Sequence, residues 1–228
     1  MTHLPKHIVL FPDGNRRWAK AHGISISDGY LKGKDKFNEF LHWCKESGVQ
    51  VVTVFGFSSE NWKRPQDQVD FLMHVFEKYL GGGIENFNNE GVRVKVIGQK
   101  HKLSDSLKTV IEKVQEATAG NTAMHLNLAV SYGGRWDIVN AVKEIIKQGI
   151  DPEMLTEDLF ASYLSTAGLP EPDLIIRAGG EMRLSNFVLW QGAYSELYFS
   201  DKLWPDFSKE DFQVALQEFD SRQRRYGK

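Results

Sequence analysis

Six short β-type runs set the frame for this chain. "HIVLF", "VQVVTVFGF", "VRVKVIG", "MHLNLAV", "DLIIRAG" and "ELYFS" follow in order, mostly separated by segments long enough for a crossover helix. Antiparallel neighbours need only a tight hairpin, whereas parallel strands need a dozen or more residues between them. The rhythm therefore predicts an α/β fold around a mostly parallel six-stranded sheet flanked by helices. "VVTVF" and "LIIR" are apolar at both alternating positions, which places them centrally with helices on both faces. "SLKTVIEKVQEAT" sets Leu107, Val110, Ile111 and Val114 on one helical face. "RWDIVNAVKEIIKQG" does the same with Ile138, Ala141, Val142 and Ile145 before a stop at Gly149. "YLGGGIENFNNEG" reads as a break or bend in a long helical hairpin. A length of 228 residues, 41% of them hydrophobic, suits one domain over 1–228 with a sizeable core and no second domain.

Charge narrows the function. Lys and Arg total 28 against 30 Asp plus Glu, a net charge of −2, so the global balance points to neither nucleic acid nor an anionic membrane surface. Phosphate recognition must then be local. The lone cysteine, Cys44, lies in an amphipathic run and reads as a buried structural thiol without a catalytic role. The amino terminus "MTHLPKHIVL" is too short for a signal peptide and no apolar stretch has the length to cross a bilayer, so a soluble, cytoplasmic protein is expected.

Directly after the first strand the chain reads "FPDGNRRWAK". The first turn of a helix carries unpaired N–H groups and partial positive charge, which makes Arg16 and Arg17 unfavourable there unless an anion joins them. Ligands of open parallel sheets bind at the carboxyl ends of the strands. The loops at those ends are alike: "PDGNRRW" after the first strand, "GFSSENWKRP" after the second, "SYGGRWD" after the fourth and "RAGGEMRLSN" after the fifth. Glycine lets backbone N–H groups approach an anion, Ser and Asn add short hydrogen bonds, and Arg offers a bidentate fork for phosphate oxygens. Each loop alone has an ordinary structural reading, with Asp13 as a turn residue, Asn15 as a helix cap and "YGGRW" as a tight turn with a surface arginine. Their recurrence points to one cleft for a strongly anionic ligand with room for more than one phosphate group.

Asp13 and Glu196 are acids set beside apolar runs, where an unpaired carboxylate is costly. Two readings stand open: neutralisation by an arginine, the better one for Glu196 taken alone, or Mg²⁺ held by one or two carboxylates together with ligand phosphates. There is no Walker A pattern, no G-x-G-x-x-G after the first strand and no Cys/His cluster spaced for zinc. Nucleotide-hydrolysing, dinucleotide-dependent and zinc chemistries lose ground accordingly.

"PDGNRRWAK", "FSSENWKRP", "NLAVSYGGRWDIV", "LPEPDLIIRAGGEMRLSNF" and "LWPDF", closing with "RQRRYG", resemble the successive signatures of the cis-prenyltransferases, the undecaprenyl diphosphate synthase family. The resemblance covers nearly the whole chain. It implies a homodimeric α/β domain with an apolar tunnel, which joins isoprenoid diphosphates (dimethylallyl, isopentenyl and longer allylic diphosphates) with Mg²⁺ as cofactor. Carried over by position, it makes Asp13 the essential aspartate that engages Mg²⁺ and the allylic diphosphate. The allylic-diphosphate site it implies comprises Gly14, Asn15, Arg16, Arg17, Trp18, Tyr30 and Arg64. Ser58 and Asn61 are implied as catalytic, with Trp62 on the same reaction-centre loop. Arg177, Arg183 and Ser185 resemble the site of the second diphosphate, with Glu196 as its metal-linked acid. "DFLMHVFEKYL" matches a helix lining the tunnel.

The chain also departs from the family pattern. The usual loop reads D-G-N-G-R-W, and Arg16 takes the place of its second glycine. Ile26 replaces an arginine and Tyr30 a histidine in "DGYLKG". The usual R-T-S-G-E becomes "RAGGE", with Ala178 and Gly179 lacking two hydroxyls, and Met182 follows where a polar residue is usual. "DG-x-RRW" with "DGY" resembles the lavandulyl-type branch, which joins allylic units head-to-middle, whereas "SSENW", "GGRWD" and "RLSNF" are kept as in ordinary elongators. The expectation is a prenyltransferase with an altered allylic site and a short-chain or irregular product. Head-to-tail cis elongation with isopentenyl diphosphate competes with it. A third alternative is a non-catalytic partner subunit of a hetero-oligomeric synthase, against which retention of Asp13, Arg177, Arg183 and Glu196 counts. Gly56 leaves space beside the reacting loop, and Phe76 and Tyr79 are candidates for shortening the tunnel.

Overall fold

The computed structural model describes residues 3–222, so of the closing "RQRRYG" only Arg222 lies within the described residues. A strand stands on each of the six β-type runs: β1 (His7–Phe11), β2 (Val51–Ser58), β3 (Val92–Ile97), β4 (Met124–Tyr132), β5 (Leu174–Arg177) and β6 (Glu196–Phe199). They form one sheet in the order β3-β4-β2-β1-β5-β6, and every pairing is parallel. Between the strands run α1 (Asn15–Ala21), α2 (Ile26–Glu46), α3 (Gln66–Gly82), α4 (Ile84–Asn89), α5 (Asp105–Ala117), α6 (Gly134–Lys147) and α7 (Glu157–Ala161), and α8 (Lys209–Ser221) follows β6. The chain runs from β1 to β2, on to the edge strand β3 and back to β4 between β2 and β3, then crosses to the other side of β1 for β5 and β6. That reversal leaves a crevice at the carboxyl end of β1, the place where open parallel sheets bind ligands.

Core residues alternate along the strands as both-face burial demands. Ile8 and Leu10 of β1 join a large apolar cluster with α2, α3, α5 and α8, while Val9 and Phe11 join a second cluster on the opposite face. His7 is buried with them: its ring bonds the Pro170 carbonyl through Nδ1 (2.7 Å) and Thr53 Oγ1 through Nε2 (2.8 Å), and Asn127 Nδ2 donates to the same hydroxyl (3.0 Å). The Pro170 carbonyl fixes a proton on Nδ1, and burial, which disfavours the charged ring, outweighs that bond and lowers the pKa of His7 to about 4. Cys44 is fully buried, and burial pushes its thiol pKa well up.

The hairpin of helices breaks at Gly83, between α3 and α4, as "GGG" predicts. In α5, Leu107, Ile111 and Val114 are buried and Val110 half-buried. The face of α6 requires a correction. Ala141 and Ile145 are buried, but Val142 is 41% exposed. With 100° per residue it falls in a second stripe with Val139 and Ile146, both solvent-facing. No helix among the described residues is long and apolar enough to cross a membrane.

Two glycines of α2 position the neighbouring loop. A Cβ on Gly29 would lie 2.7 Å from Ala19 Cβ, and one on Gly33 only 2.0 Å from Asn15 Oδ1. The spacing of "DGYLKG" therefore lets α1 settle against α2 at backbone distance. Trp204 Nε1 seals the contact by donating to the Gly33 carbonyl (2.8 Å).

Candidate active site

Asp13 lies two residues past the end of β1, in the crevice. Gly14 beside it has φ +107°, and a Cβ there would meet Leu203 Cδ2 at 2.8 Å, so glycine is required. Asp13 Oδ2 accepts from Arg177 Nη2 at 2.9 Å, and Oδ1 lies 3.5 Å from Arg17 Nη2. Arg177, at the end of β5, is held through both terminal nitrogens, while its buried Nε has no protein partner among the described residues. Its Nη1 donates to Ser185 Oγ (2.8 Å) and to the Arg183 carbonyl, and its guanidinium stacks 5.0 Å from the Phe11 ring. Its side chain is only 5% exposed, so the charge is fixed before any ligand arrives.

These groups open into a cavity of about 1220 Å³. Its mouth is lined by Arg16, Arg17, Lys20, Lys34, Arg64, Arg135, Arg177 and Arg183, eight cations against the two carboxylates Asp13 and Glu60. Eight of the 28 Lys and Arg residues in a chain of net charge −2 thus line one cavity. Arg16 and Arg135 make no ion pair among the described residues, and Arg64 Nη1 donates to Tyr30 Oη at 2.8 Å. Behind the mouth the walls are apolar, with Phe37, Val54, Leu72, Val75, Phe76, Tyr79 and Leu128. α3 supplies four of these, as "DFLMHVFEKYL" implies. Tyr79 Oη is buried without a protein partner, and burial raises its pKa.

The "SSENW" loop forms a reciprocal cap. Ser58 Oγ accepts from Asn61 N–H (3.2 Å), and Asn61 Oδ1 accepts from Ser58 N–H (3.0 Å). Both residues line the cavity, with the Ser58 hydroxyl also hydrogen-bonding Glu60 and the Asn61 amide N–H groups remaining as donors. Asn15 lines the mouth too, yet its amide turns inward: Nδ2 donates to the Pro12 carbonyl (3.0 Å) and Oδ1 is buried against Gly33. The missing hydroxyl at Gly179 has a counterpart. With φ +94°, a Cβ there would lie 2.8 Å from Arg17 Nη2, so the space is taken by a guanidinium.

Asp13, Gly14, Asn15, Arg16, Arg17, Tyr30, Ser58, Asn61, Arg64, Arg177, Arg183 and Ser185 thus converge on one cavity. Three predicted residues do not join them. Trp18 donates to Asp206 Oδ1 (2.7 Å) and stacks on His22, pinning α1 from outside. Trp62 donates to Ser131 Oγ (2.8 Å) and packs on Phe57, bracing its loop from behind. Glu196 lies elsewhere in the chain. The parallel register sets it opposite Leu174, at the amino end of β5, while Asp13 faces Arg177 at the carboxyl end, about 10 Å further along the strand. Its Oε2 instead accepts from Arg222 Nη1 at 3.0 Å, so the arginine-paired reading of this acid is the one observed.

Four residues escaped the sequence reading. Arg135 belongs to the "GGR" loop but reads alone as a surface residue, and Glu60, Asn186 and Lys20 gain meaning only from neighbours distant in sequence. Burial raises the Glu60 pKa, but hydrogen bonds from Asn186, its own backbone N–H, Ser58 and Ser59 outweigh that and leave it lowered. As for a metal, no group of three His, Cys, Asp or Glu side chains is assembled among the described residues. With only Asp13 and Glu60 as carboxylates among the residues lining a basic mouth, the donor set fits Mg²⁺ shared between Asp13 and ligand oxygens, and not an all-protein cage.

Known proteins agree with this arrangement. The family model "Putative undecaprenyl diphosphate synthase" matches residues 11–227. An isoprenyl transferase of Chromobacterium violaceum is 45% identical over 224 residues, 98% of this chain and 88% of that protein. A ditrans,polycis-undecaprenyl-diphosphate synthase ((2E,6E)-farnesyl-diphosphate specific) of Legionella pneumophila is 43% identical, covering 100% of this chain and 98% of that one. Among solved structures, lavandulyl diphosphate synthase from Lavandula x intermedia in complex with dimethylallyl diphosphate superposes with TM-score 0.94 at 35% identity, over 99% of both chains. A "probable undecaprenyl diphosphate synthase" from Campylobacter jejuni gives TM-score 0.83 at 35% identity over 100% of both. With its basic cleft at the sheet's carboxyl edge and likeness along its whole length, the chain belongs to the undecaprenyl diphosphate synthase family of cis-prenyltransferases and is a prenyltransferase.

Proposed function

We propose that the chain is a Mg²⁺-dependent enzyme that joins an allylic prenyl diphosphate to isopentenyl diphosphate head-to-tail, releases diphosphate and feeds the lengthening hydrocarbon into the apolar cavity. One observation carries the reading: the cavity of about 1220 Å³ joins a mouth of eight cations to apolar walls far larger than two five-carbon substrates fill. The catalytic unit proposed is one domain over 1–228, acting in the cytoplasm as a homodimer. The exposed stripe of Val139, Val142 and Ile146 on α6 and the open edge of β6 support a second copy as the partner.

Departure of the allylic diphosphate concentrates negative charge on its oxygens. Arg17 and Arg64 stabilise that charge from positions already set by their neighbours. When bound at Asp13, Mg²⁺ supplies Lewis-acid neutralisation of the same oxygens. Arg177, Arg183 and Ser185 hold the second diphosphate so that its double bond meets the allylic carbon, and loss of a proton then completes the new bond. Ser58 and Asn61 offer their donors from the loop between the two half-sites. The walls around Phe76 and Leu128 exclude water from the allylic cation.

A second reading, a short-chain or branched head-to-middle product from allylic substrates alone, is favoured by Arg16 and by the Tyr30–Arg64 bond in a rebuilt allylic site. Purified chain with Mg²⁺ and dimethylallyl, geranyl, farnesyl or geranylgeranyl diphosphate, each with and without isopentenyl diphosphate, decides between them by mass spectrometry and NMR of the dephosphorylated products. Linear Z-products that require isopentenyl diphosphate support elongation, and branched products without it support the second reading. Activity of the chain alone excludes a partner-subunit role. Absence of any new carbon–carbon bond overturns the proposal.

A further inference from the structure

We infer that Asn186, which no part of the reaction outlined above uses, is a positioning residue that sets the second diphosphate half-site relative to the reaction-centre loop. The inference rests on the proposed two-diphosphate reading. Asn186 is the meeting point of three loops from strands that are not all neighbours. Its Nδ2 donates to Glu60 Oε1 (2.9 Å) on the loop after β2, and its Oδ1 accepts from Arg135 N–H (2.9 Å) at the start of α6. Its carbonyl accepts from Gly134 N–H (2.6 Å). A Cβ on Gly133 would lie 2.6 Å from Ser59 Oγ and 2.8 Å from Asn186 Nδ2, so "YGGR" is glycine-rich to let these loops close on each other.

The backbone here is strained, and the tether explains how the strain persists. Ser185 and Asn186 have φ +46° and +64°, a left-handed pair in which asparagine is tolerated and serine is not favoured. That conformation turns Ser185 Oγ to Arg177 Nη1, and through Arg177 to Asp13. An unbroken line thus runs Glu60–Asn186–Ser185–Arg177–Asp13 across the mouth, with Arg135 presented beside it. β2 and β5 are separated by β1, so no strand pairing joins their loops directly. Asn186 links them by hydrogen bonds at the mouth, above the Phe55–Phe187 ring stack (4.1 Å) that packs them at their base.

The test exploits the polarity of the tether. Asn186→Asp keeps the acceptor for Arg135 N–H but sets a carboxylate against Glu60. Glu60→Gln added to it restores the bond between positions 186 and 60 with donor and acceptor exchanged. In Asn186→Asp the KM for isopentenyl diphosphate is expected to rise about tenfold while that of the allylic substrate stays within about twofold, the signature of one displaced charge-assisted contact. The double variant should return to within about threefold of Glu60→Gln alone. Calorimetry with inorganic diphosphate on the same proteins should show the same loss and recovery. Parallel rises of both KM values, or a double variant no better than Asn186→Asp, overturn the inference while wild-type turnover leaves the proposed function standing. A wild-type chain that neither turns over nor binds diphosphate overturns both.

Discussion

Replacing Tyr79 by Phe is expected to make this protein more stable. The hydroxyl is buried against the apolar wall, with no protein partner among the described residues, while the ring packs on Phe37 and Phe87 with centroids 6.2 and 5.6 Å away. An unpartnered buried hydroxyl costs about 1–3 kcal/mol in desolvation. Phenylalanine keeps the ring contacts, so no cavity term opposes the gain. For a chain of this size, each kcal/mol moves the melting temperature by about 2–4 °C. Urea unfolding at pH 7 should therefore give a higher midpoint at unchanged slope. A lower midpoint would refute the reasoning, because it would mean that the hydroxyl is satisfied in solution by a buried water. Product analysis on the same variant carries a second expectation: chains no shorter than wild type, since the wall becomes wholly apolar.

Three further outcomes are expected. Gly56→Ala sets a methyl 3.0 Å from Leu128 Cδ1 and 3.1 Å from Phe76 Cε1, so it should cost about 1–3 kcal/mol and shift products to shorter chains as Phe76 is pushed into the cavity; an unchanged chain-length distribution by mass spectrometry would contradict this. Asp13→Asn removes the carboxylate paired with Arg177 and should lower kcat/KM by about 10²–10³; retention of near-wild-type turnover would rule out the metal-holding role. For His7 the unfolded ring titrates near 6.5 and the folded ring near 4, so the unfolded chain binds more protons between these values. Stability is then full above pH 6.5 and falls by about 3 kcal/mol as pH drops to 4; an NMR midpoint for His7 above 6 would contradict the buried neutral ring.

The strand rhythm was legible because parallel strands covered on both faces must be apolar throughout, and all six runs stand as strands. Loop chemistry was legible for the same local reason. Glycine, arginine and short polar residues after successive strands meet wherever a parallel sheet brings its carboxyl ends together, so the loops that hold Asp13, Arg64, Arg177 and Ser185 could be named from sequence, while the family resemblance singled out the residues. Which loop residues face inward was not. Trp18 and Trp62 sit within the signatures but point away, because a helix turn or a 3₁₀ turn rotates neighbours by about 100–120° and only packing decides which side is buried. Glu196 shows the limit most clearly. Its sequence neighbours mark a strand, but strand register, a long-range property, puts its carboxylate at the opposite end of β5 from Asp13 and beside Arg222. Asn186 shows the converse: nothing local distinguishes it, and its partners lie 126 and 51 residues away. Sequence by itself determined the fold class and the anionic chemistry of the cleft, since both follow from short-range pattern. Tertiary structure alone decided the depth of the apolar cavity, the inward or outward turn of each loop residue and the tether across the mouth, since these depend on which distant elements come within a few ångströms of one another.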